Sequence, residues 1–84
     1  MKVVANIYLK AGVLDPQGKA VHHGLDALGF KNVKDVRVGK QIVIDIESED
    51  ENKAIEEVKE MCEKLLANTV IENYEVEIKK WEFQ

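Results

Sequence analysis

The spacing of apolar residues switches repeatedly along this chain between a period of two and a period near three and a half. That alternation limits the folds open to it. In residues 2–10, Val3, Ala5, Ile7 and Leu9 fall on one parity, while Lys2, Asn6 and Lys10 fall on the other with Val4 and Tyr8 among them. This pattern predicts a half-buried strand. Residues 16–28 follow as a helix with both ends marked. Asp15 can cap it through its carboxylate, and Pro16 suits the first turn, where a missing N–H costs nothing. Gly29 is a natural stop, with Phe30 as the apolar contact after it. Val21, Gly24, Leu25 and Leu28 share one helical face, and Gly24 is expected to let that face approach a sheet closely.

Residues 32–38 read as a second strand and residues 41–47 as a third, with Ile42, Ile44 and Ile46 on its apolar face and Gly39-Lys40 as the hairpin turn between them. The polar, acidic residues 48–51 favour a helix start. Ala54, Ile55, Val58, Met61, Cys62, Leu65 and Leu66 then make a wide apolar arc opposite a charged face, with Asn68 as the stop. Tyr74, Val76 and Ile78 mark a last strand, and Trp81 and Phe83 fall on the opposite parity. The order βαββαβ predicts an α+β, ferredoxin-like sandwich: a four-stranded antiparallel sheet with two helices on one face. The other face would stay open and carry Val4, Tyr8 and Val43 among polar residues. No linker or repeat divides the chain, so residues 1–84 read as a single domain.

At 84 residues the core must be thin, which favours a homodimer or higher homo-oligomer. The formal net charge of −4 argues against nucleic acid, whose phosphates call for a basic face. No apolar run is long enough to span a bilayer, and the N-terminus alternates where a secretory signal would be continuously apolar, so no membrane partner is expected. A single cysteine, Cys62, rules out an internal disulfide. The simplest location is cytoplasmic.

No catalytic, cofactor-binding or metal-ligating set emerges. His22 and His23 are neighbours on a helix, so they do not face each other and cannot easily share a metal. Cys62 lies within the apolar arc, where a packing thiol fits better than a nucleophile. The loop after the first strand lacks the arginine of an acylphosphatase-like site and the paired cysteines of a metal carrier. Only Tyr8 is available to stack on a base.

"GVLDPQGKAV", "LGF", "VRVGK", "LLAN" and "VIENYEV", in that order, resemble the PurS family, the small subunits of phosphoribosylformylglycinamidine (FGAM) synthase. The resemblance covers nearly the whole chain. Thr69 departs from it, since the family often reads Leu-Ala-Asn-Pro there, which bears on the rigidity of that turn. The resemblance implies a non-catalytic assembly subunit in purine biosynthesis. It would bridge a glutaminase subunit and a synthetase subunit and assist ammonia transfer within a glutamine-dependent ligase. It also implies that ATP and magnesium are used by the synthetase and not by this chain.

The candidate partner interface comprises Leu14, Asp15, Pro16, Gln17 and Gly18, then Arg37 and Lys40, then Trp81 and Phe83. "LDPQG" is either a helix start alone or also a rigid docking edge. "RVGK" is either a hairpin tip or a contact point for an acidic partner. Trp81 and Phe83 would finish a core, close a dimer seam or anchor a heteromeric contact. The alternative function is an amino-acid-sensing regulatory domain of βαββαβ type, with its ligand near "AGVLDPQG".

Overall fold

A computed structural model describes residues 1–79. The elements are β1 (Lys2–Leu9), α1 (Pro16–Ala27), β2 (Gly39–Asp45), α2 (Glu51–Met61), a single π-helical turn (Cys62–Leu66) and β3 (Glu72–Ile78). The strands form one antiparallel sheet in the order β2-β1-β3.

Strand pairing explains why the core lies where it does. Val3, Ala5 and Ile7 of β1 share a face with Ile44 and Ile42 of β2 and with Ile78, Val76 and Tyr74 of β3. The central strand is covered from both sides, so Val3, Ala5 and Ile7 are buried. α2 closes this face with Ala54 and Val58, Cys62 of the π turn extends it, and Ala67 completes the cluster. Asp50 caps α2 by accepting a hydrogen bond from the Lys53 N–H at 3.2 Å. The helix ends in the π turn, where the Ala67 N–H donates to the Cys62 carbonyl at 3.0 Å and Leu65 stands out into solvent. Asn68 then organises the turn into β3. Its carbonyl accepts from the Ile71 and Glu72 N–H groups, and its side chain accepts from the Val70 N–H. The turn is thus pinned by hydrogen bonds with Thr69 in place of the proline common in the resembling family.

The opposite face is polar and cross-linked. Gln41 donates to Asn6 at 3.0 Å, Asn6 to Glu77 at 3.4 Å and Tyr8 to Glu75 at 3.3 Å. Val4, Tyr8 and Val43 lie on this face, as their parity predicts.

Four expectations are corrected. The sheet has three strands among the described residues, not four, because residues 33–38 do not enter it. Their backbone is held by side chains from the α1 region: the His22 ring meets the Val33 carbonyl at 2.8 Å, and the Val38 N–H donates to Asp15 at 2.7 Å. Gly39 and Lys40 are not a hairpin turn; they open β2, opposite Tyr8 and Ile7. The two helices do not share a sheet face. α2 packs on the sheet, whereas Gly18 is the only buried residue of α1, and Val21 and Leu28 are exposed. Gly24, expected at a helix–sheet contact, has open space where a side chain would project.

Ile7 touches the core from its centre and is 1 % exposed. Ile7→Ala is expected to lower unfolding free energy by about 2–5 kcal/mol, and Ile7→Val by roughly 1 kcal/mol, in urea titrations followed by circular dichroism.

Candidate interaction site

The loop "LDPQG" and the segment "RVGK" are at least 19 residues apart in sequence, and one carboxylate joins them. Asp15 sits at the N-cap of α1 with extended backbone angles, φ −119° and ψ 91°. One oxygen accepts the Gly18 N–H at 2.8 Å, as an N-cap should. The other accepts the Val38 N–H at 2.7 Å, just before β2 begins. The side chain is buried, with the residue 5 % exposed. The hydrogen bond from Val38, then that from Gly18, hold its carboxyl below the usual carboxylate range. Burial opposes this shift, and the nearby Arg37 charge supports it.

Gly18 makes the junction possible. A Cβ at this position would collide with the Val36 carbonyl oxygen and press on the Asp15 carboxylate. Arg37 reaches across the same junction and donates to the Lys10 carbonyl at 3.3 Å. At the far end of α1, Gly29 takes φ +98°. The Phe30 N–H then returns to the Leu25 carbonyl and the Gly29 N–H to the Asp26 carbonyl, both at 3.0 Å, closing the helix as a Schellman motif.

The structure therefore gathers most of the candidate interface residues. Asp15, Pro16, Gln17 and Lys40 line one cleft of about 330 Å³ together with Tyr8 and Glu72. Gly18, Arg37 and Leu14 are not part of its lining: Gly18 is buried, Arg37 donates to the Lys10 carbonyl, and Leu14 is 65 % exposed. Trp81 and Phe83 lie outside the described residues. The sequence reading missed the Val38 amide, the Val36 carbonyl, His22 and Tyr8 as parts of this region. Backbone groups carry no residue-type signal, so the Val38 amide had none to find.

Chemically, the junction is a structural clasp. Both Asp15 oxygens already accept short hydrogen bonds, and its lowered affinity for protons makes it a poor general base near neutral pH. His22 holds the Val33 carbonyl, an interaction that places a proton on Nε2. Burial, with Glu63 adding to it, pushes the Cys62 thiol upward, which suits a packing role. The described residues contain no group of three His, Cys, Asp or Glu side chains placed to hold a metal.

A carboxyl whose folded value is depressed stabilises the fold above its unfolded value, near 3.9 for aspartate, and loses that contribution as pH falls through the folded value. Acid titration is therefore expected to release the Val38 amide, seen as faster hydrogen exchange, below about pH 4. Asp15→Asn should weaken the clasp at neutral pH and remove this acid step. Gly18→Ala should lower Tm and expose the Val38 amide at every pH.

Comparison with known proteins bears on the whole chain. Residues 2–80 match the family model described as PurS: phosphoribosylformylglycinamidine (FGAM) synthase. The FGAM synthase subunit PurS of Methanocaldococcus jannaschii is 51 % identical over 81 residues, covering 96 % of this chain and 98 % of that protein. The Bacillus subtilis subunit is 51 % identical over 79 residues, covering 94 % and 93 %. The crystal structure of the M. jannaschii protein superposes with a TM-score of 0.82 over the same shares of the two chains. A chain in the structure of PurLQS from Thermotoga maritima gives 0.83 at 37 % identity, covering 93 % of this chain and 95 % of that one. With near-complete coverage on both sides, this chain belongs to the PurS family of FGAM synthase subunits.

Proposed function

We propose that this chain is the small, non-catalytic assembly subunit of an FGAM synthase complex in purine biosynthesis. In this role it bridges a glutaminase subunit and an ATP-dependent synthetase subunit and assists ammonia transfer between them. The observation that carries the reading is full-length membership of the PurS family, with a close structural match inside a PurLQS assembly. The clasp supports it. A rigid surface built from a capped helix start and a strand start suits docking, and its one buried carboxylate is consumed structurally. ATP and magnesium act in the synthetase subunit, and the complex works in the cytoplasm as a soluble assembly. No helix among the described residues is long and apolar enough to cross a membrane. The amino-acid-sensor alternative gains no support from these relatives.

The physical logic concerns ammonia. In bulk water near neutral pH it is mostly ammonium, which has no lone pair to attack a carbonyl-derived centre. Holding a glutaminase and a synthetase in register excludes water along the path and keeps the nucleophile unprotonated. A bridge does this by shape and interface alone. Within it, Leu14, Asp15, Pro16, Gln17, Gly18, Arg37 and Lys40 form the heteromeric contact or its support. The bridge itself is a homodimer or higher homo-oligomer.

Amidation of formylglycinamide ribonucleotide by cognate glutaminase and synthetase subunits tests the proposal. With glutamine, the rate should depend on this chain; with free ammonium salt, it should not. Leu14→Asp, which leaves the fold intact because Leu14 is exposed, should cut the glutamine-driven rate roughly tenfold while sparing the ammonium-driven one. Equal rates with and without the chain would refute the bridging role.

A further inference from the structure

β3 closes the sheet on the side away from β2, and its pairing with β1 shows which of its backbone groups are already used. The Lys10 N–H donates to the Ile71 carbonyl at 2.8 Å, and the Lys79 N–H donates to the Lys2 carbonyl at 2.9 Å. Bonded and non-bonded pairs alternate along an antiparallel ladder, so Asn73, Glu75 and Glu77 turn their amides and carbonyls toward β1. Tyr74, Val76 and Ile78 turn theirs outward, and among the described residues no strand meets them. The edge also lacks the usual structural safeguards against pairing. It runs without a bulge through seven paired residues and holds neither proline nor glycine.

Charge of one sign flanks this edge on both faces of the sheet. Glu75 and Glu77 are exposed on the polar face, where each accepts from a neutral group, the Tyr8 hydroxyl and the Asn6 amide. On the other face, a groove of about 720 Å³ lies between Tyr74 and the outer side of α2, with Glu56, Glu60 and Glu63 in its lining. The Tyr74 hydroxyl donates to Glu63 at 2.9 Å and so fixes one wall. The whole lining carries four glutamates against two lysines. Two copies of this edge laid side by side would bring glutamates together, which is destabilising. A strand bearing lysine or arginine meets opposite charge on each of its faces.

We infer that the outer edge of β3 accepts an extended, lysine- or arginine-bearing segment of a partner subunit as an added strand. The segment's main chain pairs with the outward groups of Tyr74, Val76 and Ile78. Its alternate side chains reach Glu75 and Glu77 on one face and the groove glutamates on the other. The inference rests on the bridging reading above and deepens it, by giving the bridge a docking surface distinct from the Asp15 clasp.

Hydrogen exchange in the full chain tests it, with the chain alone and then mixed with the cognate glutaminase or the cognate synthetase subunit. In the chain alone, the Tyr74, Val76 and Ile78 amides should exchange fast. With one of the two subunits they should slow at least about a hundredfold, because pairing removes them from water. Glu75→Gln with Glu77→Gln keeps the acceptors for Tyr8 and Asn6 but removes two charges. It should weaken binding of that subunit roughly tenfold at low salt and flatten the loss of affinity that the wild type shows as salt rises. Its circular dichroism and Tm should match the wild type. Amides already protected in the chain alone overturn the inference, since a second copy or residues 80–84 then hold the edge. Fast exchange in both mixtures, or full affinity in the variant, overturns it as well. Glutamine-driven amidation in the same mixtures reads the bridging role separately. A rate that needs the chain while the three amides stay fast keeps the bridge and defeats the added strand. Protected amides with a rate indifferent to the chain do the reverse.

Discussion

Asp15 accepts two backbone hydrogen bonds with one carboxylate, and the placement of α1 follows from that. One bond starts the helix at Gly18; the other ties the start to Val38, immediately before β2. Because β2 is fixed to β1 over seven paired residues, the clasp fixes where the helix can be relative to the sheet. It sets α1 against residues 33–38 and away from the apolar sheet face, which α2 covers. Gly18 is the steric condition for this arrangement, since its missing side chain makes room for the Val36 carbonyl.

That arrangement leaves a molecule with a short, well-packed half and an extended half. The core is a single layer of β1 residues between the isoleucines of β2, the alternate residues of β3 and the small inner face of α2. Ala5 and Ala54 keep the helix close to the sheet, at the cost of the large side chains that would thicken the core. A chain so built gains more from association than a compact domain does, because its apolar helix and its open strand edge both lower their free energy when covered.

The junction also explains why the candidate site has the chemistry of a scaffold. Carboxylates at work in catalysis need a free lone pair and a tuned proton affinity. Asp15 is ill suited to that work, because each oxygen already accepts a backbone hydrogen bond and those bonds lower its affinity for protons. Tyr8, Asn6, Gln41, Glu75 and Glu77 similarly satisfy one another across the open sheet face. Their polar ladder covers much of that face and leaves Val4 beneath it buried.

Local chemistry was legible in the sequence wherever it acts over a few residues. Asp15-Pro16 starts a helix and Gly29 stops it because caps involve neighbouring amides. The parity of Val3, Ala5 and Ile7, and of Ile42 and Ile44, names the core face because side chains alternate along any strand. The family resemblance in "GVLDPQGKAV", "VRVGK" and "VIENYEV" was equally readable, and the matched relatives bear it out. Residues 33–38 were not readable in this way. Val33, Val36 and Val38 fit a strand, yet whether a segment pairs depends on which edge is in reach. Here Asp15 and His22 hold its backbone instead. The union of "LDPQG" with "RVGK" into one cleft was likewise closed to sequence reasoning, because it rests on a backbone amide 23 residues from its acceptor. The sequence alone therefore determined the elements, their ends and their apolar faces, which short-range sterics and hydrogen bonding dictate. That α1 leaves the sheet, and that three strands rather than four pair among the described residues, was settled only in the folded chain, because those outcomes depend on long-range contacts competing for the same backbone groups.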